Sequence, residues 1–212
     1  YNENSIIAEF FTKDHGKFSG IIFGATSKKL KNYLQIGNNL HINYNYKNED
    51  QLGYFKIEIL EANTPLYFDN KKKLLCINSA MNLIKLLTAE AQSNIKVFDL
   101  INDFFNFLNK EKWIVDYIFW ELSLLKYIGF DLNLKKIIKS EIIDLKTFYY
   151  VESISDKKYV PNFLIDYNRE TVDYKDLLKA FKIIGDYMEQ NILLPNNLNH
   201  SISRLEFINL FK

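Results

Sequence analysis

The 212-residue chain has one cysteine, and only Arg169 and Arg204 of its 27 basic residues are arginine. The lone thiol, Cys76, can form neither an internal disulfide nor a multi-cysteine zinc site. The signature of a secreted scaffold is therefore missing, and the cytoplasm is the default compartment. The arginine shortage leaves lysine as the working cation, and lysine meets phosphate as a point charge rather than through a bidentate fork. Any nucleic-acid contact should be local and should not read sequence. No apolar run reaches the roughly 18 residues of a membrane helix, and the best stretch, 74–84, is broken by Asn78 and Asn82, so no membrane partner is expected. The first residues, Tyr1-Asn2-Glu3-Asn4, carry neither an initiator methionine nor the basic and apolar regions of a signal peptide.

Catalytic constellations are just as scarce. His15, His41 and His200 stand apart from one another and read as a turn, a wet strand face and a loop before a helix. Asp99 and Asp103 share a helix face opposite its apolar stripe, which describes a solvated surface rather than a metal site. Cys76 lies between Leu75 and Ile77 and reads as a buried thiol. No phosphate-binding loop, dinucleotide fingerprint or nucleophile elbow occurs. No cofactor or metal is expected, and a hydrolase or transferase becomes the most distant reading.

What is present is a change of period. Hydrophobic residues at 48% and charged residues at 25% are ordinary globular values. Up to about residue 62 the chain reads as strands: 5–12, then a turn at Asp14-His15-Gly16, then 17–25. Residues 39–47 alternate, with Leu40, Ile42, Tyr44 and Tyr46 opposite His41, Asn43, Asn45 and Lys47. Residues 53–62 alternate likewise, and 26–31 read as a polar, basic connection. Gly20 and Gly24 suit curvature or a close backbone approach. Four strands suggest a compact sheet or small barrel. A five-stranded OB barrel needs one strand more, expected upstream of residue 1.

From residue 71 the period becomes helical. Amphipathic helices are expected over 74–91, 95–108 and 173–191, the last stopping before Pro195. The stretch 112–128 is apolar nearly all round, as in the central helix of a bundle. A small hairpin is expected within 148–160, and a last short helix capped by Ser201 or by Ser203 with Glu206 as a capping box. The fold class is α+β: an OB-fold domain over 1–63, then a helical domain over 64–212 with a hairpin excursion.

The net charge of +1 names no partner, but its distribution is uneven. Residues 13–47 hold six lysines, at 13, 17, 28, 29, 31 and 47, against one acid, Asp14. OB barrels hold single strands in a cationic groove with stacking aromatics, and Phe23, Tyr33, Tyr44 and Tyr46 lie in this region. The nucleic-acid-binding candidates are Lys17, Lys28, Lys29, Lys31 and Lys47. Lys71 to Lys73 form a second cluster.

These residues carry a resemblance. Thr12-Lys13-Asp14-His15-Gly16-Lys17 followed by Gly24-Ala25 resembles the N-terminal signature of the bacterial RecO family of recombination mediators, a Thr-x-x-x-Gly-Lys hairpin leading to a Gly-Ala-basic segment. Leu52-Gly53, the run Ile128-Gly129-Phe130-Asp131-Leu132 and Tyr150-Val151-Glu152-Ser153 resemble later landmarks in the same order. Thr26-Ser27 stands where the family often has arginine, and residues 134–160 lack the cysteines of its zinc-binding members, which implies a zinc-free member. The resemblance implies a non-enzymatic mediator that binds and anneals single-stranded DNA, also binds double-stranded DNA, works with RecR, docks on the C-terminal tail of single-strand-binding protein and helps indirectly in loading RecA. An adaptor binding only proteins is the competing reading, and the near-neutral charge favours it.

Overall fold

The computed structural model describes residues 4–46, 52–152, 157–170 and 172–212. The chain forms two compact units, Tyr1–Asp99 with Ser201–Phe207, and Leu100–His200 with Ile208–Lys212.

In the first unit, β1 (Ser5–Thr12), β2 (Gly16–Phe23), β3 (Asn39–Asn45) and β4 (Tyr54–Glu61) form one sheet in the order β1-β2-β4-β3. β1 and β2 make an antiparallel hairpin pairing Ser5 with Phe23 and Thr12 with Gly16. β3 and β4 are also antiparallel, and the two pairs meet along a parallel seam at Ile21 and Tyr54, where the Ile21 N–H donates to the Gly53 carbonyl at 2.8 Å. The α+β, OB-like expectation holds, although no closed barrel is present among the described residues. Strand alternation puts Ile22 and Phe55 on one face, where they pack with Phe10, Phe18, Ile42, Ile57 and other apolar side chains. Gly20 belongs to that face, and a Cβ there would stand 2.5 Å from the Phe55 ring. The turn end of the hairpin is pinned to later residues of the same unit. The Lys17 carbonyl accepts from the Ala91 N–H at 2.8 Å, and Gly16, at φ +67°, leaves the place of its missing Cβ to the Gln92 carbonyl.

The stretch read as a polar, basic connection holds a helix, α1 (Lys28–Tyr33), capped by Ser27, whose Oγ accepts from the Leu30 N–H. Six residues are too few to show a helical period, but Leu30 and Leu34 at i, i+4 both reach the sheet core, and that burial holds the turn in place. A 3-10 turn (Thr64–Tyr67) leads to α2 (Lys71–Leu87), which begins at its lysines because the Asn70 side chain caps the Lys73 N–H at 3.1 Å. α3 (Ile95–Leu108) has its expected limits.

In the second unit α4 (Trp113–Tyr127) buries residues around most of its circumference, including Trp113, Ile118, Trp120, Leu124 and Glu121. Trp120 donates through Nε1 to the Leu100 carbonyl at 2.9 Å and stacks on Tyr117, whose ring lies 6.1 Å from Phe181 of the helix over Tyr174–Met188. After a short α5 (Leu134–Ile137), the expected hairpin proves to be a three-stranded antiparallel sheet of β5 (Lys139–Ile143), β6 (Lys146–Glu152) and β7 (Lys157–Val160). β5 escapes a sequence reading because most of its residues are exposed, so no hydrophobic alternation marks it. α6 (Phe163–Asp166) precedes α7 (Tyr174–Met188), and α8 (Ile202–Asn209) is the last helix. Ser203 lies inside α8 with its Oγ 3.3 Å from the Asn78 carbonyl, so the cap position falls to Ser201 and the capping box does not form. No helix among the described residues is long and apolar enough to cross a membrane.

Candidate nucleic-acid interface

α1 brings three of the five candidate lysines together. Leu30 turns inward to the core, which leaves Lys28, Lys29 and Lys31 exposed on the remaining faces of a single helical turn and a half. Lys29 also lies over the Tyr33 ring, 5.6 Å from its centroid. Beside this helix, Phe23 at the end of β2 is 58% exposed and its ring stands 5.8 Å from that of Tyr54 on β4. The two rings border a shallow hollow of about 340 Å³ whose lining includes Ile22, Leu30, Phe55 and Ile57, with exposed Lys56 at its rim. An apolar floor, two aromatic walls and the Lys56 cation at the rim, with the lysine-bearing helix joined to the hollow through Leu30, suit an unstacked base with its phosphate.

Tyr54 and Lys56 are functional candidates that sequence reasoning does not reach. Their alternation with Phe55 and Ile57 places them on the outer face of β4, but only the parallel pairing of β4 with β2 carries them next to Phe23, and long-range pairing leaves no local signal. Tyr44 is drawn the other way. Its ring lies 5.2 Å from Phe18 and 5.1 Å from Phe55, and its hydroxyl accepts from the Gly53 N–H at 3.0 Å, so it serves the fold. Tyr46, 59% exposed just past the end of the edge strand, remains open.

Lys17 is not part of the exposed group. It is 9% exposed, and its ammonium donates to the Lys85 carbonyl at 2.6 Å, in the last turn of α2. There the cation answers a carbonyl without an intrahelical partner and the negative end of the helix dipole. Lys47 lies outside the described residues. Lys71 and Lys72 are exposed at the start of α2, and Lys73 sits 5.2 Å over the Tyr67 ring. Cys76 is fully buried, and Asp99 and Asp103 are exposed on α3. Among the described residues no three His, Cys, Asp or Glu side chains gather as a metal site.

Comparison with known proteins gives a consistent result. Residues 1–63 match the family model described as Recombination protein O N terminal, and residues 70–183 match that described as Recombination protein O C terminal. A DNA repair protein RecO of Rickettsia canadensis is 33% identical over 221 residues, covering 97% of this chain and 89% of the relative. That of Rickettsia typhi is 32% identical over 219 residues, covering 97% and 91%. That of a Wolbachia from Culex pipiens is 27% identical over 215 residues, covering 93% and 88%.

Proposed function

Because this chain belongs to the RecO family of DNA repair proteins, we propose that it acts as a non-enzymatic recombination mediator that binds and anneals DNA through the first 63 residues and docks proteins through residues 64–212. The observation that carries this reading is the exposed lysine turn of α1 beside the Phe23–Tyr54 hollow. Lysines on phosphates give affinity without sequence preference, and bases left facing outward remain free to pair with an incoming strand. The double strand that results is held by the same lysines through its phosphates.

The protein-binding half of the proposal follows the family: RecR as a partner, the acidic tail of single-strand-binding protein as a docking signal, and RecA loaded as the outcome. The site of action is the cytoplasm, at the nucleoid. A tail peptide that binds the unmodified chain at low salt, followed by fluorescence anisotropy, supports this half, and a peptide that does not bind removes it.

Changing Lys28, Lys29 and Lys31 together to alanine tests the DNA half. Binding of unrelated single strands should weaken to a similar degree, and the salt slope should flatten by about 0.7 for each phosphate no longer neutralised. A folded triple variant with unchanged affinity and slope would remove α1 from the interface. If the unmodified chain also ignores DNA, the protein-only adaptor stands.

A further inference from the structure

The start of α2 carries an arrangement that works against its own helix. Lys71, Lys72 and Lys73 fill the first turn, and no acid accompanies them there. The N-terminal end of a helix already carries partial positive charge, so three cations at that end oppose the dipole. Lys73 is partly accommodated over the Tyr67 ring, but Lys71 and Lys72 are exposed. Exposed beside them are two large apolar side chains, Leu66 and Phe68, the latter a ring available for stacking at 57% exposure.

This patch is tied to the end of α1 by the side chains of Asn38, Thr64 and Asn63. Asn38 donates through Nδ2 to the carbonyls of Asn32 and Tyr33 at the end of α1, at 3.1 and 3.2 Å. Through Oδ1 it accepts from the Thr64 N–H at 3.3 Å, at the first residue of the 3-10 turn that leads into α2. Thr64 Oγ1 donates to the Ile36 carbonyl, and Asn63 donates to the Gly37 carbonyl at 3.4 Å. The end of α1 and the approach to α2 are thereby clamped within one unit of the fold. Across residues 24–46 and 62–75 the sequence holds six lysines and a single acid, Asp69.

We infer that the two lysine turns form one continuous track for single-stranded nucleic acid, in which a strand leaving α1 passes over the Asn38–Thr64 clamp to Lys71 and Lys72, with Phe68 as its second stacking platform. The inference rests on the proposal that α1 meets DNA, and it lengthens that site. A strand of alternating phosphates and bases matches both features of the patch: charge for the lysines, and a flat apolar face for the ring.

The test uses the full chain and fluorescent oligothymidylates of two lengths, about 8 and about 25 nucleotides, the shorter near the span of one OB-type site. The variant Lys71→Ala/Lys72→Ala should bind the short strand like the unmodified protein. It should bind the long strand more weakly, with a salt slope smaller by up to about 1.4, or about 0.7 for each lysine removed. Its melting temperature should be unchanged or slightly higher, because the substitutions relieve the unfavourable charge at the helix start. The variant Lys28→Ala/Lys29→Ala/Lys31→Ala should lose affinity for both lengths. If the α1 variant weakens while the α2 variant holds the long strand with the full salt slope, the track ends at α1 and the inference is overturned. If both variants bind as before, the α1 reading fails and the track fails with it. An acidic peptide whose binding disappears in the α2 variant while the long strand is still held would overturn the inference in favour of a protein site.

Discussion

At the scale of single residues, charge is legible in the sequence and partnership is not. Lys17 resembles its neighbours in a basic segment, yet the carbonyl it serves belongs to Lys85, 68 residues further on. Lys17→Ala should therefore behave unlike the α1 substitutions. Chemical denaturation should show a loss of about 1.5–3 kcal/mol, the usual worth of a hydrogen bond from a charged group, while the salt slope of DNA binding stays unchanged. Gly20 reads in sequence as strand curvature or a close backbone approach, and the structure puts a side chain rather than a backbone against it. The identity of its neighbour, the Phe55 ring, comes only from the structure. Gly20→Ala should cost about 1–3 kcal/mol through overpacking, read as a lower denaturation midpoint with an unchanged slope.

At the scale of elements, length and burial decide what can be read. The helix 95–108 and the strand 5–12 are long and patterned, and both are legible to their ends. α1 and β5 are not, one because six residues show no period and the other because its side chains face water. Charged side chains pair across the strands of the sheet β5-β6-β7: Lys139 with Glu152, and Glu141 with both Lys157 and, at 2.7 Å, the Tyr159 hydroxyl. Hydrogen bonds from Lys157 and Tyr159 hold Glu141 below the ordinary glutamate value of 4.5, and Lys139 does the same for Glu152. A depressed carboxylate contributes stability that is complete above its unfolded value and lost as pH falls through the folded one. Lys139 and Lys157 are raised above 10.5 by their hydrogen bonds to the same two glutamates, so their contribution is complete below 10.5 and lost as pH rises through the raised values. Hydrogen-exchange protection of this sheet, corrected for intrinsic rates, should hold steady across neutral pH and fall below pH 4.5. Glu141→Gln should show the lower protection already at neutral pH. Protection that stays flat into acid would assign the sheet's stability to its backbone ladder instead. The apolar girdle of α4 is legible for the opposite reason, and Trp120→Ala should cost about 3–5 kcal/mol in global unfolding, through a cavity and the missing hydrogen bond to the Leu100 carbonyl.

At the scale of the whole molecule, the change from period 2 to period 3.6 near residue 63 makes the α+β class readable, since burial on one face of a sheet and on one stripe of a helix leaves different spacings. The parallel contact between β2 and β4 leaves no trace in the sequence, although it creates the Phe23–Tyr54 hollow and with it the character of the proposed interface. Residue types alone therefore locate the lysines but not the surface they flank. The central claim, that this RecO family member holds single strands by their phosphates, is tested most directly by the salt dependence of affinity for two unrelated single-stranded sequences, measured with the unmodified chain. Both should bind with similar affinity, falling with salt on a logarithmic slope of about −2 or steeper, roughly 0.7 for each of the three α1 lysines. Binding that is absent at low salt, or that does not change as salt rises, would contradict the claim.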